Sequence, residues 1–218
     1  MNKEAELRKI NEEIEKDENL PLGESNLVFG EGSPNCEVFF VGEAPGFNED
    51  REKRPFVGRA GQLLRKHIRD LEWKEGDVYI TNIVKRRPPE NRDPSPEEIE
   101  SYKPYLARQI EIISPQIIVP LGRFSMNYFL PAAKITRDQG KLFKVENPAK
   151  DGASYFILPM LHPAAALRGT EAMNMFAETF AKLPRALLKA KNNKWDEAVA
   201  PALPEEEKKQ EDVQARLF

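Results

Sequence analysis

The chain reads as an α/β protein: a parallel-rich sheet covered on both faces by helices. Three observations predict this. Short apolar runs of strand length, CEVFFV, DVYITNIV, QIIVPL and SYFILPM, recur along the chain. Between them lie longer segments with apolar residues at helical spacing. Glycine, proline and polar residues cluster just after the apolar runs, where open α/β sheets carry their ligands.

Taken in order, Leu7, Ile10 and Ile14 at helical spacing predict an acidic amphipathic helix over residues 3–17. VFGEG (28–32) is a short extended or turn segment. The first strand is Cys36–Val41, Arg59–Leu71 is the crossover helix, and Asp77–Val84 is the second strand. Ser95, Pro96 and Glu98 supply an N-cap, an N1 proline and a capping-box acid, which start a helix running to Ile113. Gln116–Leu121 is a third strand. It leads through Gly122 into a helix bearing Phe124, Tyr128 and Phe129. KLFKV and SYFILPM are further strands, and Ala172–Leu188 is helical with a break near Pro184. From Asn192 the composition turns to Ala, Pro, Glu and Lys without periodicity. Residues 1–191 are therefore expected to form one domain, with the 1–20 helix packed on it, and 192–218 a flexible tail.

With 218 residues, 40% hydrophobic and 32% charged, the chain can bury one full core with surplus for tails. No apolar stretch is long enough to span a bilayer, and MNKEAELRKINEEIEK is too charged for a signal peptide, so a cytoplasmic protein is expected. The single cysteine, Cys36, excludes disulfides within the chain and multi-thiolate metal sites; it is expected in the core. The formal charge of −3 argues against a surface that binds polyanions everywhere. The bases are nevertheless segregated. Residues 51–69 carry Arg51, Lys53, Arg54, Arg59, Arg65, Lys66 and Arg69 against Glu52, and KRRPPENR (85–92) adds Lys85, Arg86, Arg87 and Arg92. Both flank candidate ligand loops, the footprint of a local nucleic-acid site.

The richest loop is VGEAPGFNEDREKRPFVGRAGQLL, residues 41–64. It brings the carboxylates Glu43, Glu49 and Asp50, the flat face of Phe56, and Gly58 and Gly61 for close backbone approach. GEAPG fits neither the dinucleotide nor the mononucleotide phosphate loop, and phosphate sites rarely concentrate carboxylates. Asn82, inside the second strand, needs hydrogen-bond partners. His162 stands on a strand-end loop before Pro163, with Leu167 and Arg168 beyond. His67, amid arginines on a helix, is expected to be solvated or to touch phosphate.

Together these motifs resemble the uracil-DNA glycosylase superfamily, family 4. The matching segments are VFGEG, GEAPG with Glu49-Asp50, RPFVGRAGQLL, ITN, VK-x-RPPENR-x-P, RQI, LGR and LHPAAALR, in the family's order from about Val28 to Arg168. The resemblance implies a three-layer α/β/α sandwich, a monomer that flips uracil out of DNA and hydrolyses its N-glycosidic bond. It implies uracil contacts from Gly42, Ala44, Phe56 (stacking) and Asn82 (bonding O4 and N3–H), with His162 near O2. Glu43 and Glu49 would stabilise the sugar cation or orient water, their division of labour open, with Asn91 helping to position water. Lys85, Arg86, Arg87, Arg92, Leu167 and Arg168 would meet DNA, Leu167 and Arg168 on the segment that wedges into the duplex. A related branch traps the sugar covalently through a histidine after the asparagine strand; RRPPEN has none, so no covalent trap is expected. A catalytically inactive DNA-binding module of the same fold is the alternative.

The departure is the cofactor. The family's four-iron cluster needs four thiolates, yet the aligned positions are approximately Asp17, Leu20, Arg86 and Tyr102, so no cluster and no other cofactor is expected. The terminal QARLF resembles the bacterial sliding-clamp-binding pentapeptide, with Gln214, Leu217 and Phe218 as its contacts.

Overall fold

The computed structural model describes residues 2–146 and 154–198. The clamp-like residues Gln214, Leu217 and Phe218 lie outside them. A seven-stranded sheet has the order β1-β3-β2-β4-β6-β5-β7. Its strands are β1 (Glu31–Gly32), β2 (Val38–Gly42), β3 (Val78–Asn82), β4 (Ile117–Pro120), β5 (Phe143–Glu146), β6 (Ser154–Ile157) and β7 (Glu197–Ala198). The inner four, β3-β2-β4-β6, are mutually parallel; β1 and β5 run antiparallel to their inner neighbours.

Side chains alternate across β2 as a sheet buried on both faces requires. Val38 and Phe40 face one apolar layer with Leu64, Ile68, Phe176 and Phe180, from α3 (Arg59–Asp70) and α8 (Thr170–Ala181). Phe39 and Val41 face the other, with Ile10 and Ile14 of α1 (Lys3–Lys16) and Tyr102, Leu106 and Ile110 of α4 (Pro96–Ile113). The three-layer α/β/α sandwich follows from that division. The expected cap of α4 is present: Ser95 Oγ accepts from Glu98 N, and the Glu98 carboxylate accepts from Ser95 N. Cys36 is buried just before β2, and burial pushes its thiol up to about 12.

Several elements depart from the sequence reading. VFGEG contributes an edge strand, β1, paired with β3. The acid-rich loop coils into α2 (Phe47–Glu52), and short helices α6 (Ile135–Asp138) and α7 (Pro163–Ala166) join α5 (Arg123–Phe129). The break expected near Pro184 falls at Lys182, between α8 and α9 (Leu183–Lys191). Residues 192–198 are not tether. Asp196 N donates to Leu142 O, its carboxylate receives Leu142 N and Lys189, and β7 adds a strand beside β5. Composition alone concealed these contacts because they are made by polar side chains and backbone.

Candidate active site

Loops leaving the carboxyl ends of β2, β3 and the β6 region converge on a cavity of about 470 Å³, of the size that holds a small ligand. The strand order reverses at β2, since β3 lies on one side of it and β4 on the other; such a switch point opens a crevice. Glu43, Ala44, Glu49, Phe56, Asn82, Asn91, Arg92, His162 and Arg168 all contribute to its walls, so residues from four distant sequence segments meet there.

Asn82 ends β3 in register with Gly42 of β2. A Cβ on Gly42 would lie 2.2 Å from Asn82 Oδ1 and 2.6 Å from Phe56 Cζ, so glycine is what allows the amide and the ring to share this wall. Asn82 is only 2% exposed, yet its side-chain amide makes no hydrogen bond to any described residue. A buried amide without a protein partner keeps one donor face and one acceptor face for a ligand.

Phe56 is held in a left-handed conformation, φ 54°, which costs energy in a non-glycine residue. Arg65 supplies the restraint: Nε donates to Phe56 O at 2.9 Å and Nη2 to Pro55 O at 2.7 Å. Gly61 completes it, because a Cβ there would sit 1.9 Å from the Phe56 carbonyl carbon. The Phe56 ring lies 5.8 Å from the His162 ring, tilted by 36°.

The two acids differ in what they hold. Glu49 Oε1 accepts from Val57 N at 2.9 Å and Gly58 N at 2.7 Å, pinning α2 to the loop that carries Phe56. The Glu43 side chain makes no hydrogen bond to a described residue. Burial and then the Asp93 charge push its carboxyl up to about 7, with Arg123 opposing. His162 Nδ1 accepts from Ala164 N at 3.1 Å, so in the neutral ring the proton sits on Nε2. Burial lowers its pKa to about 4, against the pull of Glu49, so the ring is neutral at pH 7. Asn91 Oδ1 accepts from Arg87 Nε at 2.7 Å. Leu167 is 40% exposed beside the rim residue Arg168.

Two of the expected DNA contacts are corrected. Lys85 is fully buried, its Nζ donating to Thr81 Oγ1 (2.7 Å), Asn82 O (2.7 Å) and Gln109 Oε1 (2.5 Å), and burial pushes its ammonium well below the ordinary lysine value. Arg86 is buried as well and bonds Ser25 O and Glu15. Both are committed to acceptors within the protein. Arg92 is exposed but doubly bonded to Glu98. The basic run 51–69 is largely an internal ion network, since Glu31 takes Arg54 and Arg65, Glu75 takes Arg65 and Arg69, and Asp70 takes Lys66. His67 packs on Phe176 and Phe180 and bonds Leu63 O, a half-buried packing residue. Asp93, Arg123 and Phe47 were not singled out from the sequence. Asp93 fills the second variable position of VK-x-RPPENR-x-P, which was the available signal.

The side chains at the four cluster positions do not fit a thiolate-bound cluster. Tyr102 donates its hydroxyl to Pro21 O at 2.8 Å and Tyr105 donates to Asp17 Oδ2 at 2.9 Å. Leu20 packs in the same apolar layer as Tyr102. Oxygen, guanidinium and alkyl groups thus join the segment after α1, the β3–α4 loop and α4, and the single thiol lies elsewhere.

The profile of the uracil DNA glycosylase superfamily matches residues 29–184. The chain is 43% identical over 209 residues to a type-4 uracil-DNA glycosylase of Sulfurisphaera tokodaii, covering 87% of this chain and 94% of that protein. It is 42% identical over 164 residues to one of Archaeoglobus fulgidus, covering 73% and 81%. It is 44% identical over 168 residues to one of Saccharolobus solfataricus, covering 74% and 76%. With the sandwich fold and a cavity walled by the same motifs, the chain belongs to the uracil DNA glycosylase superfamily.

Proposed function

We propose that this chain is a uracil-DNA glycosylase that takes uracil flipped out of DNA and hydrolyses the bond between its N1 and the sugar, leaving an abasic site. The observation that carries the reading is Asn82, a buried amide facing the cavity with no protein partner. An amide can donate to uracil O4 and accept from N3–H; cytosine presents the reverse pattern, so one fixed rotamer discriminates between them. Phe56 offers the stacking face and Ala44 the close backbone, while Gly42 leaves room for the Asn82 amide and the Phe56 ring to share one wall.

Hydrolysis breaks the C1′–N1 bond and sends its electron pair into the uracil ring, where charge develops on O2. His162, neutral with its proton on Nε2, is suited to donate to that oxygen. Water adds to C1′ and gives up a proton. Glu43 is the acid free to receive it and to face the cationic sugar, whereas Glu49 is engaged by two amides and positions the Phe56 loop. Asn91, on the cavity wall with its Oδ1 held by Arg87, would hold that water through its amide nitrogen. The absence of thiolates at the cluster positions supports a metal-free enzyme.

Arg87, Arg92, Leu167 and Arg168 remain as the DNA-facing set. A monomeric, cytoplasmic enzyme tethered to the sliding clamp by Gln214, Leu217 and Phe218 completes the proposal, the tail resting on sequence alone. No helix among the described residues is long and apolar enough to cross a membrane. The test is Asn82→Ala. It is expected to lower uracil excision on the order of 10³-fold while abasic-site DNA binds as before. Wild-type turnover in that variant would remove Asn82 from base readout and with it this assignment.

A further inference from the structure

Phe47, the first residue of α2, is 56% exposed, an unusual position for a large apolar ring. Two cations attend it: the Arg87 guanidinium lies 5.2 Å from the ring centroid and that of Arg51 lies 5.9 Å away. Phe47 follows Gly46 and Arg87 precedes Pro88, and both of those neighbours line the cavity. The contact therefore bridges the loops after β2 and β3 at the cavity's rim. Arg87 is anchored there through Nε to Asn91, which leaves the rest of its guanidinium available.

An exposed ring flanked by guanidinium groups at the mouth of the cavity has the composition of a single-strand binding platform, in which a base stacks on the ring while cations meet the backbone. Arg51 also pairs with Glu52 at 3.1 Å, so the charge around the ring is mixed; a protein partner still fits less well, because the ring stands between two guanidinium groups rather than on an apolar face. We infer that Phe47, with Arg87 and Arg51, is a second base-binding site, taking an unpaired nucleobase of the same strand next to the flipped nucleotide. It rests on the reading of the cavity as a DNA-base pocket. The consequence is a preference for single-stranded or locally unpaired DNA, since a neighbour held in a duplex stack is not free to reach the ring.

The test is fluorescence anisotropy with the full-length chain and a labelled single-stranded oligonucleotide bearing one non-hydrolysable 2′-fluorinated deoxyuridine. Phe47→Ala should weaken binding about tenfold, the size typical of removing one base–aromatic stack, and Phe47→Trp should bind as wild type does. Replacing the bases on both sides of the uracil by abasic spacers should weaken the wild type similarly and leave Phe47→Ala no worse, because the same contact is lost from either side. A structural role of Phe47 in holding Arg87 predicts instead the same tenfold deficit with and without the flanking bases. That result, or wild-type affinity in Phe47→Ala, overturns the inference. Failure of the wild type to release uracil would strike the catalytic reading, and this binding measurement would still stand.

Discussion

Glu43 and Glu49 occupy one motif, and both point toward one cavity, yet their neighbours give them different work. Two backbone amides hold Glu49, while burial and Asp93 leave Glu43 with a carboxyl near 7 in place of its ordinary 4.5. If Glu43 acts as the ionised acid, activity is full above that value and is lost as pH falls through about 7. Measured kcat/KM should therefore show an acid limb near 7, and Glu43→Gln should lower kcat on the order of 10²–10⁴-fold and abolish the limb. The same shift has the opposite sign for stability. A folded-state carboxyl raised above its unfolded value costs stability as pH rises from about 4.5 to 7. Glu43→Gln should thus melt higher than wild type at pH 8 while being nearly inactive. A melting temperature lowered by the substitution would mean that Glu43 is paired in the native protein.

At the scale of elements, the end of β3 depends on a lysine the cavity never sees. Lys85 ties Asn82 O to Thr81 and to Gln109 on α4, and its three N–H donors match three acceptors. Lys85→Met would remove this donor from Asn82 O and Gln109 Oε1, while Thr81 Oγ1 keeps its bond to Phe29 O. A loss of about 3 kcal/mol is expected, read as a fall in melting temperature of roughly 6–12 °C for a domain of this size. Unchanged melting would show that the network adds nothing. Lys85 also marks the limit of legibility in sequence. KRRPPENR advertises four cations, but charge counted along a chain carries no information about burial, and the turn after β3 directs Lys85 and Arg86 inward while Arg87 and Arg92 stay near the rim. The α4 cap was legible because Ser95, Pro96 and Glu98 act locally. Helix α2 was not, because its N-cap is Gly46, without a side-chain signal, and its acids read equally well as loop. Pro184 announced the α8–α9 break, whereas Pro104 sits within α4 without ending it, since the packing of Tyr102, Leu106 and Ile110 outweighs one lost backbone bond.

At the scale of the molecule, two apolar layers fix the sheet, and the sheet's switch point at β2 fixes where the loops meet. The residues expected around uracil were legible as motifs, but their convergence depended on strand order, which no local pattern encodes. The segments the family ties to a metal cluster are joined here through Tyr102, Arg86, Leu20 and Tyr105. The purified protein should accordingly be colourless, with iron and labile sulfide far below stoichiometric and activity unaffected by strong chelators; a cluster absorption band would contradict that reading. Deleting Gln214–Phe218 should abolish binding to the sliding clamp in a pull-down and leave excision from a short oligonucleotide unchanged. A truncated chain that still bound the clamp would assign the contact elsewhere. The central claim is that this cavity selects uracil and releases it by hydrolysis. Its most direct test is the free base liberated from oligonucleotides that each carry a single uracil, thymine or cytosine at one position. The account predicts release of uracil alone, with the strand intact until alkali cleaves it at that position. No uracil released above a protein-free control, or cytosine released at a comparable rate, would contradict it.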